Sequence, residues 1–173
     1  MNGYELLAAF HAGRTDFTGE KLEKVNLRGA HLNGIIFNGA DLREADLGGA
    51  SLFRASLRGA MLNRAHLGIA HDNIIDPNLD DIDLELSCTN LTQADLTGAF
   101  LTDARLFRAN LHEANLSYAD LRGAMMRESN LTGAILEEAN LGGADLTGAR
   151  IEEETLKHAL TQGAVLKDLH IQE

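Results

Sequence analysis

From Phe17 onward the chain sets a large apolar residue at every fifth position: Leu22, Leu27, Leu32, Phe37 and so on to Leu67, then again from Leu91 to Ile151. All 24 of these positions are apolar, and the residue two places earlier is Ala in 18 of them. The residue just before is often Asp or Asn, as at Asp41, Asp46, Asn110, Asn115, Asn140 and Asp145. A period of five fits neither an amphipathic helix nor an alternating strand. Helical arrays repeat at roughly 34 to 47 residues, and no such period is present. The chain must instead turn a corner every five residues, with two side chains inward and three outward. A large and a small inward residue in alternation fill a narrow square interior densely. Four sides then close a coil of about 20 residues, and stacked coils pair their backbones at ~4.8 Å. On this reading Phe17, Phe37 and Leu57 stack on one face, and Leu91, Leu111, Leu131 and Ile151 on another. Gly at the third outward position (Gly29, Gly34, Gly39, Gly59, Gly123, Gly133) supplies the backbone freedom a corner needs.

The tandem units ADLRE-ADLGG, ANLHE-ANLSY-ADLRG and ANLGG-ADLTG resemble the A(D/N)LxX motif of the pentapeptide-repeat family, over about residues 17–70 and 89–151. The resemblance implies an all-β solenoid, a right-handed quadrilateral β-helix of stacked coils. It implies little about biochemical role. Some relatives resemble B-form DNA in width and charge, bind type II topoisomerases, and protect them from quinolones or inhibit them.

An open stack needs its ends covered. Asn2 followed by Glu5 reads as a helix N-cap with its capping-box partner, Leu6, Leu7 and Phe10 share a helical face, and Gly13 can end the helix. At the other end Glu152, Glu153 and Glu154 crowd the start of an expected helix with Leu156, Ala159 and Leu160 as its apolar face and Gly163 as its stop. A competing reading continues the five-residue register through Leu156, Leu166 and Ile171, which sets Glu154 at a small inward position and Thr161 at a large one. The helix is preferred, with Ala164 to Ile171 returning to extended chain. Between the blocks the register slips by one residue, since Leu67 and Leu91 are 24 apart. The expected organisation is a helical cap over 1–14, block one over 15–70, an irregular acidic break over 71–90, block two over 91–151, and a helical cap over 152–173. The break is open to three readings: a loop, a distorted coil, or a seam between two separate solenoids.

Composition agrees with a repeated environment: 45% hydrophobic but 5% aromatic, with 17 Gly and one Pro. The net charge of −11 is unevenly placed. Residues 1–70 hold 8 basic and 7 acidic residues, whereas 71–90 hold six acidic ones and no base. One cysteine, Cys88, permits no intrachain disulfide, and the N-terminus lacks a basic leader or a span-length apolar run. A cytoplasmic protein with no membrane association is expected.

Candidate chemistry is sparse. Asp76, Asn78 and Asp80 match the first EF-hand ligand positions, but Asp81 stands where Gly is required, Ser87 where the bidentate Glu belongs, and Pro77 stiffens the loop. A solvated connector is the better account. Stacking by one coil sets His66 over Asp46 and Ser51 over His31, yet no His lies between a nucleophile and an orienting carboxylate. No catalytic, cofactor-binding or metal-binding residue is expected, and Cys88 reads as a small apolar filler. Partner contacts are the remaining class. ASLFRAS and ARLFRAN place Phe53–Arg54 and Phe107–Arg108 outward in the same words, an aromatic–Arg composition typical of interface anchors, and Phe100 and Tyr118 also point out. Asp80, Asp81 and Asp83 are the acidic candidates. The expectation is a non-catalytic scaffold for an unidentified protein partner, with nucleic acid not expected and homodimerisation left open. The alternative is a DNA-mimicking topoisomerase-binding protein.

Overall fold

The computed structural model describes residues 1–68 and 88–172. Its core is a stack of coils whose rungs pair in parallel at a spacing of twenty residues, as in Asp16↔Ile36, Lys21↔Asp41, Asn26↔Asp46 and His31↔Ser51. Those four pairs begin four ladders, one per side of the coil. The first face passes through Asp16, Ile36 and Ser56, the second through Lys21, Asp41 and Met61, the third through Asn26, Asp46 and His66, and the fourth through His31, Ser51 and Asn90. The inward residues behave as the five-residue pattern requires. Leu22, Leu27, Leu32, Leu52, Leu91, Leu111 and Leu141 are 0–1% exposed, as are Ala40, Ala55, Ala94, Ala109 and Ala139, in one continuous cluster. The Phe17 and Phe37 rings stack with centroids 6.0 Å apart.

The hydrogen bonds explain why the repeat is five. In the unit from Leu91 to Asp95 the Leu91 amide donates to Asn110 O on the next coil, and Gln93 N donates to His112 O. Ala94 N closes a turn back to Leu91 O, and Asp95 N donates to Ala55 O on the preceding coil. Four of five amides are thus held by backbone alone, and the same scheme repeats along the stack. The third outward residue of the described coil units is left-handed, at φ between 52° and 75°. Gly29, Gly34, Gly39, Gly59, Gly123 and Gly133 meet that demand without strain.

Across the break the ladders do not part. Ser51 pairs with Asn90, Ser56 with Asp95, Met61 with Phe100 and His66 with Arg105, so the two blocks form one stack. Thr89 takes an inward Ala slot at 0% exposure, and its hydroxyl donates to Leu47 O at 2.9 Å. Gly68 is needed here because a Cβ would lie 2.6 Å from Phe107 O. The further readings of the break itself, including its acidic candidates, fall on residues outside those described.

At the N-terminus α1 (Gly3–His11) carries the expected capping box, with Glu5 N donating to Asn2 Oδ1 and Asn2 N to Glu5 Oε2, both at 2.9 Å. Leu6 is buried in the coil core, and Gly3 lies so close to the Asn26 carbonyl that a Cβ would clash. The C-terminal expectation is corrected. After β1 (Arg150–Glu152) the helix α2 (Glu153–Lys157) makes barely one turn and buries no residue. The rejected register then resumes, as Asn140↔Leu160, Asp145↔Val165 and β2 (His170–Gln172) on β1. The reason is that Leu160, Val165 and His170 amides find carbonyls of the coil below at 2.8–2.9 Å. Those bonds outweigh the misfit of Thr161 at a large inward position. Leu166 and Ile171 remain 41% and 45% exposed.

Two inward hydroxyls give a test. Ser129 occupies an Ala slot at 0% exposure and its Oγ has no hydrogen-bond partner among the described residues, unlike that of Thr89. An unpaired buried hydroxyl costs about 1–3 kcal/mol and a paired one contributes about 1 kcal/mol. Ser129→Ala is therefore expected to raise stability by about 1 kcal/mol and Thr89→Val to lower it by a similar amount, as read by denaturant unfolding. Shifts of the same sign would remove the slot assignment.

Candidate interaction surface

The fifth amide of each unit, on the residue after the central Leu, has no backbone acceptor in this scheme. The Asp or Asn before the Leu supplies one. Oδ1 of Asn90 accepts from Thr92 N at 3.0 Å, Asp95 from Thr97 N at 3.1 Å, Asn115 from Ser117 N at 3.0 Å and Asp145 from Thr147 N at 3.0 Å. These are Asx turns, local bonds that short polar side chains make to the backbone two residues on. In two units a Ser stands in that place and cannot reach. The acceptor then comes from the coil below: Asn33 Oδ1 takes Phe53 N at 3.2 Å and Asn38 Oδ1 takes Arg58 N at 3.0 Å. Sequence reasoning missed this role of Asn33 and Asn38. The signal was an Asn after the Leu one coil before a Ser.

The same carboxylates are paired with arginine. Arg43 forks onto Asp41 with bonds of 2.8 and 2.7 Å, and Arg122 repeats the geometry on Asp120. Arg127 lies 3.1 Å from Asp145, Arg28 3.6 Å from Asp46 and Arg58 3.7 Å from Asp95. The Arg43 hydrogen bonds hold the Asp41 carboxyl below its ordinary range, as Arg122 does for Asp120. At Asp145 burial pushes upward, but the Thr147 hydroxyl and amide prevail and the net shift is down.

The corner residues form a second system. Twelve non-glycine residues of those described sit at positive φ, which costs roughly 1 kcal/mol each. Side-chain bonds between rungs recover part of that: Arg54 Nε donates to Gln93 at 2.7 Å, Gln93 to Glu113 at 2.6 Å, and Arg108 to Glu128 at 2.6 Å. Both arginines of the repeated words are such corner residues, at φ 55°. Each guanidinium lies over the preceding ring, 4.9 Å from the Phe53 centroid and 5.4 Å from that of Phe107. Phe53 is on the fourth face and Phe107 on the third, two coils apart, so the structure does not bring the two words into one patch. Phe100 and Tyr118 are 47% and 63% exposed.

His66 stands over Asp46 on the third face, Nδ1 to Oδ1 3.3 Å, and Ser51 over His31 on the fourth, so the two pairs do not share a face. A shallow notch of about 130 Å³ beside α2 is lined by Ile135, Glu137, Glu154 and His158 among others. Among the described residues no group of three or more His, Cys, Asp or Glu is placed to hold a metal ion, and no helix is long and apolar enough to cross a membrane.

The molecule is thus a coil solenoid whose repeat unit is five residues. The pentapeptide-repeat family model matches it in eight copies over residues 21–59, 85–123 and 114–152, and the chain belongs to that family. Among solved structures it is similar to HetL, a pentapeptide repeat protein involved in heterocyst differentiation regulation in the cyanobacterium Nostoc sp. strain PCC 7120. The two are 26% identical over 98% of this chain and 94% of that one, with a TM-score of 0.24. Another Nostoc PCC 7120 pentapeptide repeat protein is 28% identical over 97% and 95%, with a TM-score of 0.38. QnrB1, a plasmid-mediated fluoroquinolone resistance protein, is 18% identical over 91% and 92%, with a TM-score of 0.35. No curated protein matched the sequence significantly.

The lowered carboxyl groups set the acid limb of stability. A folded pKa below the unfolded value of about 3.9 contributes stability above that pH, and the contribution is lost as pH falls through the folded value. Asp120→Asn keeps the Asx acceptor and removes the titration. The variant is expected to melt below the parent at pH 7, with the gap closing as pH falls below the unfolded carboxyl value, in a series of melts across pH. A gap that stays constant would mean that Asp120 carries no such linkage.

Proposed function

We propose that this chain is a non-catalytic protein-interaction scaffold, a right-handed quadrilateral β-helix with α1 as its N-terminal cap and faces that display side chains to a protein partner. The observation that carries the reading is the division of labour within the unit. Inward side chains fill the core, and the Asp or Asn before the Leu is committed to its own corner. The residue after the Leu varies freely, and the corner residue varies at the modest cost of its left-handed backbone. A flat face also offers a reacting group no shelter from water, which enzymes rely on. A lone cysteine, which permits no intrachain disulfide, is compatible with the cytoplasmic setting that belongs to this proposal. Homodimerisation belongs to the same proposal, with a second copy of the chain as the partner.

The competing reading, a DNA-mimicking topoisomerase-binding protein, needs rows of uncompensated carboxylates. Here Asp41, Asp46, Asp95, Asp120 and Asp145 each face an arginine within 4 Å and each accepts a backbone amide. Such pairing weakens the long-range negative field that a mimic depends on. The test combines affinity capture from the native cytoplasm with a gyrase assay. A partner retained in fixed stoichiometry is expected, with neither inhibition of supercoiling nor rescue from a quinolone. Inhibition near micromolar concentration that moderate salt abolishes would reverse the ranking.

A further inference from the structure

We infer that the third face, around Arg105, is a docking site for an acidic peptide segment of a partner protein in which carboxylates alternate with large apolar side chains. The inference rests on the scaffold reading and names the partner chemistry for one of its faces. The ladder of this face reads Asp46, His66, Arg105, Met125, Asp145. Arg105, Phe107 and Arg108 lie on one rung, with Met125, Arg127 and Glu128 on the next, ~4.8 Å away. Three guanidinium groups therefore gather within two rungs of a chain whose net charge is −11.

Two of them are committed. Arg108 bonds Glu128 at 2.6 Å and Arg127 lies 3.1 Å from Asp145. Arg105 is exposed and has no ion-pair partner among the described residues. Beside it Met125 is 43% exposed at a place in the unit where Asp or Asn is usual, so this unit gives up its Asx turn to show an apolar side chain. The Phe107 ring on the same rung is half-buried, with the Arg108 guanidinium 5.4 Å from its centroid. Arg, Met and aromatic residues are the types enriched where interfaces are buried, and a thioether adapts to varied apolar neighbours.

The charge pattern selects the occupant. A free guanidinium fork takes one carboxylate in two parallel bonds, and an apolar residue next to that carboxylate covers Met125. A nucleic acid presents a run of phosphates and requires a row of uncommitted cations. Among the described residues of these two rungs one cation is uncommitted, and Glu128 and Asp145 stand beside the others.

The probe is a fluorescein-labelled peptide alternating glutamate with leucine and phenylalanine, titrated with the full chain and read by fluorescence anisotropy. Saturable binding is expected. Arg105→Glu should weaken it about tenfold or more, since it sets like charges face to face. Arg105→Lys and Met125→Ser should each weaken it several-fold, and Lys21→Glu on the second face should leave it unchanged. Melts of each variant check that the stack is intact, as expected for exposed positions. Three results would overturn the site: no saturable binding up to millimolar peptide, equal affinity for Arg105→Glu, or tighter binding of a single-stranded oligonucleotide at the same salt. A cytoplasmic partner held equally by wild type and Arg105→Glu would leave the scaffold reading standing and remove this site alone.

Discussion

The structure depends on one backbone constraint: a coil that turns every five residues leaves one amide in five without a backbone acceptor. The stacking bonds and the corner turn take the other four. A half-buried amide left unpaired costs on the order of 1–3 kcal/mol, and the deficit recurs in every unit. A short side-chain acceptor one residue before the central Leu removes it locally. Asp and Asn have the right reach, and the motif letters follow from that need. In physical terms the repeat is a rule for satisfying hydrogen bonds as much as a rule for packing Leu against Ala.

The constraint also shapes what the surface can do. Asp side chains that look in sequence like free negative charge are acceptors bound to the backbone and flanked by arginine, as at Asp41 and Asp120. Units that omit the Asp or Asn do so at a cost. Some recover the bond from the coil below, through Asn33 and Asn38. Others show a large side chain in its place, such as Met61, Phe100, Met125 and Ile135. The exceptions to the motif are therefore the more informative positions for recognition.

Much of the fold was legible because it is carried by local, repeated identities. The inward Leu and Ala, the glycine corners and the Asn2–Glu5 capping box each follow from residues close in sequence. What escaped depends on the neighbouring coil. Measured along the chain, Leu67 to Leu91 breaks the count, yet the stack requires only that Asn90 reach the Ser51 rung, which it does. At the C-terminus the cluster of Glu152, Glu153 and Glu154 pointed to a helix. The waiting edge of the Asn140, Asp145 and Arg150 rungs, invisible in a local reading, drew the chain back into register after one turn. The candidate surface was less legible still: Phe53–Arg54 and Phe107–Arg108 share their words, but coil geometry sets them on different faces.

The stability of the coil rests on the side-chain acceptor for the fifth amide, and Asn115 isolates it. Its Oδ1 accepts from Ser117 N at 3.0 Å and from Ser117 Oγ at 2.7 Å, and it has no ion pair among the described residues. Denaturant unfolding of Asn115→Asp and Asn115→Ala is the direct measurement. The Asp variant keeps the acceptor and is expected within about 0.5 kcal/mol of the parent, whereas the Ala variant should lose about 1–2 kcal/mol. An Ala variant as stable as the parent, or two variants equally impaired, would contradict the account.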